Sequence, residues 1–106
     1  MPKFLILASY TPEGAKGVLR SGGTSRRDAV SKLAEDLGGT LESFYFAFGE
    51  TDVFVVLDLL DNQSAAAAAL AVVASGAASA EVVVLLTPED IDTASQRAVN
   101  YRAPGA

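Results

Sequence analysis

The stretch Ser21-Gly22-Gly23-Thr24-Ser25-Arg26-Arg27 sets two flexible glycines ahead of a helix start and two arginines just inside it. Free N–H groups at a helix N-terminus and guanidinium groups both attract anions, so this segment could hold a carboxylate or a phosphate. Lys16 and Arg20 precede it. Five of the eight basic residues fall between Lys16 and Lys32 in a chain whose formal net charge is -5. No Walker or Rossmann spacing is present, which favours the plainer reading of a capped turn between two helical segments with solvated arginines.

Acidic and phenolic groups form the other candidates. Gly49-Glu50-Thr51-Asp52 suits a hairpin tip, where Asp52 either shapes the turn or points into a pocket at the end of the sheet; the turn reading is favoured. Glu42, Tyr45 and Asp58 interrupt apolar strand-like runs, and Tyr10 stands just past the first of them. With a three-residue turn Glu42 and Asp58 would oppose each other, and two close carboxylates raise one pKa, as acid-base chemistry requires. A two-residue turn separates them. The sequence leaves that register open, and both acids lie near strand ends where water is the favoured partner.

Two absences narrow the chemistry. The chain has no cysteine, which removes disulfides, iron-sulfur clusters and thiolate catalysis and fits a cytoplasmic protein. It has no histidine either, so the usual general base, the usual metal ligand and the histidine ligand of haem are missing. No metal and no cofactor is expected. The acidic balance, with a pI near 4.5, argues against nucleic acid or an anionic membrane surface as partner. The apolar run at the N-terminus is too short for a secretory signal, and the uncharged stretch Asn62 to Ala80 is alanine-rich and broken by Gly76, unlike a membrane span. A soluble, cytoplasmic protein is the expectation.

These groups need elements to position them. At 106 residues one domain spanning 1–106 is expected, with a tail over about 97–106. Phe4 to Ser9 reads as a strand, and Thr11-Pro12-Glu13 gives an N-cap, a proline at the first helical position and an early acid. The helix should break at Ser21-Gly22-Gly23 and resume with Thr24 or Ser25 as cap, placing Val30, Leu33, Ala34 and Leu37 on one face. Gly38-Gly39 ends it. Leu41 to Phe48 and Val53 to Leu59 read as a β-hairpin, and Asp61 to Ser64 caps a helix through Ala65 to Ser75 that Gly76 terminates. Val82 to Leu86 makes a fourth strand, and Thr87-Pro88-Glu89-Asp90 starts a short terminal helix running to about Arg97. The order βαββαβ gives an α+β, ferredoxin-like sandwich: a four-stranded antiparallel sheet with both main helices on one face.

That architecture predicts strands that alternate apolar and polar, yet Phe4-Leu5-Ile6-Leu7, Val53 to Leu57 and Val82 to Leu86 are apolar on both faces. Either the terminal helix covers the second face, or a second copy does; the size of the patch favours the copy, as a homodimer or larger oligomer. The nearly chargeless helix from Ala65 either packs on two sides or is poly-alanine serving as a strong helix former, and the sequence does not separate these.

The phrases Lys3-Phe4-Leu5-Ile6-Leu7-Ala8-Ser9-Tyr10-Thr11-Pro12-Glu13-Gly14, Gly22-Gly23-Thr24-Ser25-Arg26-Arg27, Phe44-Tyr45-Phe46-Ala47-Phe48-Gly49-Glu50 and Leu85-Leu86-Thr87-Pro88-Glu89 resemble those of bacterial GYD-domain proteins. The likeness spans almost the whole chain. It implies a ferredoxin-like domain related to the dimeric α+β barrels and brings no settled activity. At the motif that names the family this chain departs, with Gly49, Thr51 and Asp52 where the family has Gly, Tyr and Asp.

Two functions are consistent with these residues. The preferred one is a non-catalytic homo-oligomeric module that binds a small apolar or anionic metabolite between sheet and helices, with Tyr10, Arg26, Arg27, Tyr45, Gly49 and Asp52 as candidate contacts. The other, implied by the resemblance, is a cofactor-independent monooxygenase or isomerase acting on an aromatic or polyketide-like substrate through Tyr10, Tyr45 and Asp52. A closed pocket lined by Phe44, Phe46, Phe48 and Phe54 with a buried acid or tyrosine would favour the enzyme, whereas a filled core would favour the module.

Overall fold

The computed structural model describes residues 1–106. Strand β1 (Lys3–Tyr10) is followed by helices α1 (Pro12–Ser21) and α2 (Gly23–Asp36), then by β2 (Thr40–Phe46) and β3 (Val53–Asp58). Helix α3 (Asn62–Ala74), strand β4 (Ala78–Leu85) and helix α4 (Pro88–Ser95) complete the chain. The strands form one antiparallel sheet in the order β2-β3-β1-β4, so the fold is ferredoxin-like.

Local chemistry accounts for most boundaries. Thr11 accepts the Gly14 N–H at 3.2 Å to open α1 ahead of Pro12, and Asp61 accepts from Ser64 N–H at 2.8 Å to open α3. Thr87 and Asp90 form a reciprocal capping box at α4. The break between α1 and α2 falls where expected, but Thr24 and Ser25 are not the cap. Gly22, at φ +83°, ends α1 and serves as the N-cap of α2, so both hydroxyl residues lie within the first turn.

Two strand limits also differ from the pattern. β4 begins at Ala78, four residues before the β-branched run, because Ala78-Ser79-Ala80-Glu81 pair with Tyr10 back to Leu7. Pairing to a long central strand overrides weak local propensity there. β2 stops at Phe46, and Ala47 donates to the Asp52 carbonyl at 2.8 Å, so the hairpin loop runs over 47–52 and is longer than the four-residue tip read from the sequence.

Alternation divides the sheet into two faces. Phe4 and Ile6 of β1 and Val53, Val55 and Leu57 of β3 are buried against Ala34 of α2 and Ala65 and Ala68 of α3. Val30, Leu33 and Leu37 pack partly buried around this core. Only one side of α3 is covered, since Leu70 and Val73 are exposed, so its poly-alanine face acts within the chain as helix former.

The other face carries two successive rows across the sheet: Ser43, Val56, Leu5 and Val83, then Tyr45, Phe54, Leu7 and Glu81. No element of the chain lies over them. Every residue from Leu86 to Ala106 is exposed, so α4 does not cover the sheet. The radius of gyration is 16.9 Å. A compact chain of this length would give roughly 13 Å, so this C-terminal arm projects from the domain.

Candidate functional site

Between the sheet and helices α2 and α3 lies a cavity of about 190 Å³, lined by sixteen residues of which fourteen are hydrophobic. It exists because the facing layers are short of volume. Ala8, Ala68, Ala71, Ala77 and Ala78 supply methyl groups where larger side chains would close the gap. On α2 the positions 26, 30 and 33 share one face, which sets Val30 and Leu33 along the cavity and Arg26 at its end.

Polarity is confined to that end. Arg26, Tyr10, Ser75 and Ala77 border both the cavity and an adjoining open hollow whose walls include Glu13, Arg20, Ser21 and Gly76. Ser75 is committed to its own turn, donating to the Val72 carbonyl at 2.6 Å and accepting from Ala77 N–H at 3.2 Å. Neither Arg20 nor Arg26 belongs to any of the four ion pairs of the chain. The mouth therefore presents two guanidinium groups without an acidic partner, and the Tyr10 hydroxyl has no hydrogen-bond partner in the chain either.

Tyr10 is held from two directions. Its backbone N–H donates to the Asp52 carboxylate at 2.9 Å, and Asp52 N–H donates to the Ala8 carbonyl at 2.9 Å, which continues the β1–β3 pairing beyond its last ladder position. Its ring stacks on Phe46 at 6.5 Å, and Phe46 meets Phe44 edge-on at 5.2 Å. Asp52 thus acts on the cavity by fixing the end of β1, while its side chain also borders an outer groove formed with Val18, Leu19, Phe46 and Phe48.

The remaining candidates lie elsewhere. Arg27 sits beside Asp28 at 3.4 Å on the exposed side of α2. Tyr45 is 69% exposed on the open face of the sheet. Gly49 is in the exposed hairpin loop, and a Cβ added there would meet nothing. The four phenylalanines do not share one pocket: Phe44 lines the cavity, Phe46 and Phe48 the outer groove, and Phe54 the opposite face of the sheet. Strand parity separates them, because Val53 and Val55 point to the helices and Phe54 between them cannot.

Glu42 and Asp58 are not an acid-base pair. Glu42 sits in an irregularity between Leu41 and Ser43, and Asp58 faces Thr40. Lys3 bridges both acids, at 2.6 Å to Glu42 and 2.8 Å to Asp58, and the Asp58 and Glu42 carboxylates hold its ammonium pKa above the ordinary value. Across the chain no three acidic, histidine or cysteine side chains gather closely enough to hold a metal ion, and no helix is long and apolar enough to cross a membrane.

Sequence reasoning placed Tyr10 and Arg26 among the candidates but did not foresee the alanines that create the space between them. Their signal is a poly-alanine helix set over an uninterrupted apolar strand, a pairing that leaves a deficit of side-chain volume. The family model for the GYD domain matches residues 4–94. The chain belongs to the GYD-domain family. No curated protein and no solved structure gives a match. In this GYD domain the matched region takes in the sheet from Phe4 onward, the cavity and most of α4, and leaves out the arm beyond Ala94.

Proposed function

We propose that this GYD domain is a self-associating binding module: two or more copies meet through the uncovered sheet face, and each holds a small apolar or anionic molecule between its sheet and helices. The observation that carries this reading is the outer face itself, where Leu5, Leu7, Val56 and Val83 stand only half-buried and Phe54 is exposed, with nothing of the same chain above them. Contiguous apolar patches of this kind mark association sites. A second copy is the natural occupant because it presents the same apolar centre, with charges kept to the margins: Lys3, Glu42 and Asp58 at one rim and Glu81 on the edge strand β4.

The area is informative. Four strands spaced about 4.8 Å apart over some six residues present a footprint of roughly 400 Å², about half of what each partner buries in a standard stable interface. The arm from Leu86 onward, with exposed Leu86, Ile91, Val99 and Tyr101, offers apolar contacts that would supply the rest by lying against the neighbouring copy.

Binding is preferred to catalysis on the composition of the cavity wall. Its ionisable groups are Arg26 and Tyr10, and no carboxylate lines it to take up a proton. Native mass spectrometry of freshly purified protein tests both halves of the reading in one spectrum. A dimer or larger assembly is expected, with adduct mass where a molecule has been retained; a purely monomeric spectrum at micromolar concentration would refute the association.

A further inference from the structure

Resting on the binding reading above, we infer that the cavity takes a small monocarboxylate whose carbon skeleton is a single ring or its branched equivalent, the skeleton lying against Val30 and Leu33 and the carboxylate meeting Arg26 at the mouth. Three observations converge on this class.

The first is size. Cavities of roughly 150 Å³ with aliphatic and aromatic walls take up benzene, so about 190 Å³ has room for one ring with a small substituent. The second is the division of polarity. The interior is hydrocarbon, and the polar lining residues are those that also border the outer hollow, so a ligand satisfied at every atom has an apolar body and one polar end.

The third is charge. The mouth and the hollow together hold Arg20 and Arg26 against Glu13, a surplus of one positive charge. Neither arginine is engaged by an acid of the chain. A monoanion neutralises that surplus, and guanidinium matches the planar carboxylate with two parallel N–H donors. A dianion would leave one negative charge uncompensated beside Glu13. The Tyr10 hydroxyl, free of partners in the chain, can donate to the same carboxylate.

The test compares three probes of one skeleton, benzoate, benzyl alcohol and phenyl phosphate, by calorimetry and by NMR of the Val30 and Leu33 methyl groups, on the wild-type chain and on Arg26→Gln. Benzoate is expected to bind saturably, to shift those methyls, and to bind more tightly than the other two. Arg26→Gln removes one charge-assisted contact and should weaken benzoate roughly ten- to hundredfold while weakening benzyl alcohol, whose hydroxyl is uncharged, by no more than about tenfold and less than benzoate. Retained binding of benzyl alcohol also shows that the variant keeps its cavity. Equal affinity for benzoate and benzyl alcohol, tighter binding of phenyl phosphate, or benzoate affinity indifferent to Arg26→Gln would each overturn the monocarboxylate assignment alone. If no probe moves the Val30 and Leu33 methyls, the binding half of the broader reading falls, while the association through the outer sheet face stands on its own test.

Discussion

Replacing Gly14 by alanine tests how closely the fold is built around the mouth of the cavity. Gly14 is buried in the first turn of α1, and a Cβ placed there would lie 1.9 Å from the Ala77 carbonyl oxygen and 2.8 Å from its carbon. Both are backbone atoms, which cannot rotate away. The helix start must therefore withdraw from the α3–β4 turn, straining the bond from Thr11 N–H to the Ala77 carbonyl at 2.9 Å and that from the Thr11 hydroxyl to the Gly76 carbonyl at 2.8 Å. Overpacking of this kind costs about 1–3 kcal/mol and each lost hydrogen bond about 1 kcal/mol, against a gain in helix propensity of at most about 1 kcal/mol. The clash dominates, leaving a net loss of about 2–4 kcal/mol, which in a domain of this size lowers Tm by roughly 10–20 °C.

Gly17, on the same helix, supplies the control. A Cβ there finds its nearest neighbour, an Arg20 guanidinium nitrogen, at 4.0 Å. Gly17→Ala should therefore keep the propensity gain and raise Tm by a few degrees, about 1 kcal/mol in stability. Thermal unfolding followed by circular dichroism measures both. Equal Tm values for the two variants would refute the packing argument, since only the contact at Ala77 separates them.

Three further outcomes follow from the same structure. Lys3 has its pKa raised above the ordinary 10.5 by Asp58 and Glu42, so its contribution is fully present below that value and is lost as pH rises through the folded-state pKa. Urea midpoints measured at about pH 9 and about pH 11.5 should fall more steeply for the wild type than for Lys3→Met, which lacks the group. Asp52→Ala removes the acceptor of Tyr10 N–H; that amide should exchange faster with solvent, whereas Asp52→Asn, which keeps an acceptor oxygen, should stay nearer the wild type. Ile91→Glu, at an exposed position of α4, should leave the secondary structure by circular dichroism unaltered while weakening self-association, as an unchanged association constant would deny.

The sheet and its helices were legible because each is announced by local chemistry. Thr11-Pro12-Glu13, Asp61 and Thr87-Pro88 mark helix starts, and the apolar runs Phe4 to Leu7, Val53 to Leu57 and Val82 to Leu86 mark strands; which of their two apolar faces is buried, that of Phe4, Ile6, Val53, Val55 and Leu57, shows only in the structure. What escaped the sequence is long-range. The pairing of Ala78 to Glu81 with β1 has no β-branched residues to signal it, and the irregularity at Glu42 sets a register that no turn motif specifies. The three-way contact of Lys3 with Glu42 and Asp58 joins residues from three strands, so two acids that look like a catalytic pair along the chain are partners of one lysine in space. The cavity was invisible for a related reason: it is a shortage of volume between α3 and the sheet, and a shortage belongs to the packing of two elements rather than to either one.

Sedimentation equilibrium of the full chain over the micromolar range measures the state of the outer sheet face most directly. Assemblies of two or more chains that dissociate on Val56→Lys, with the secondary structure retained, are the expected result. Single chains throughout that range, with Leu5, Leu7, Phe54 and Val56 left facing water, would contradict the account.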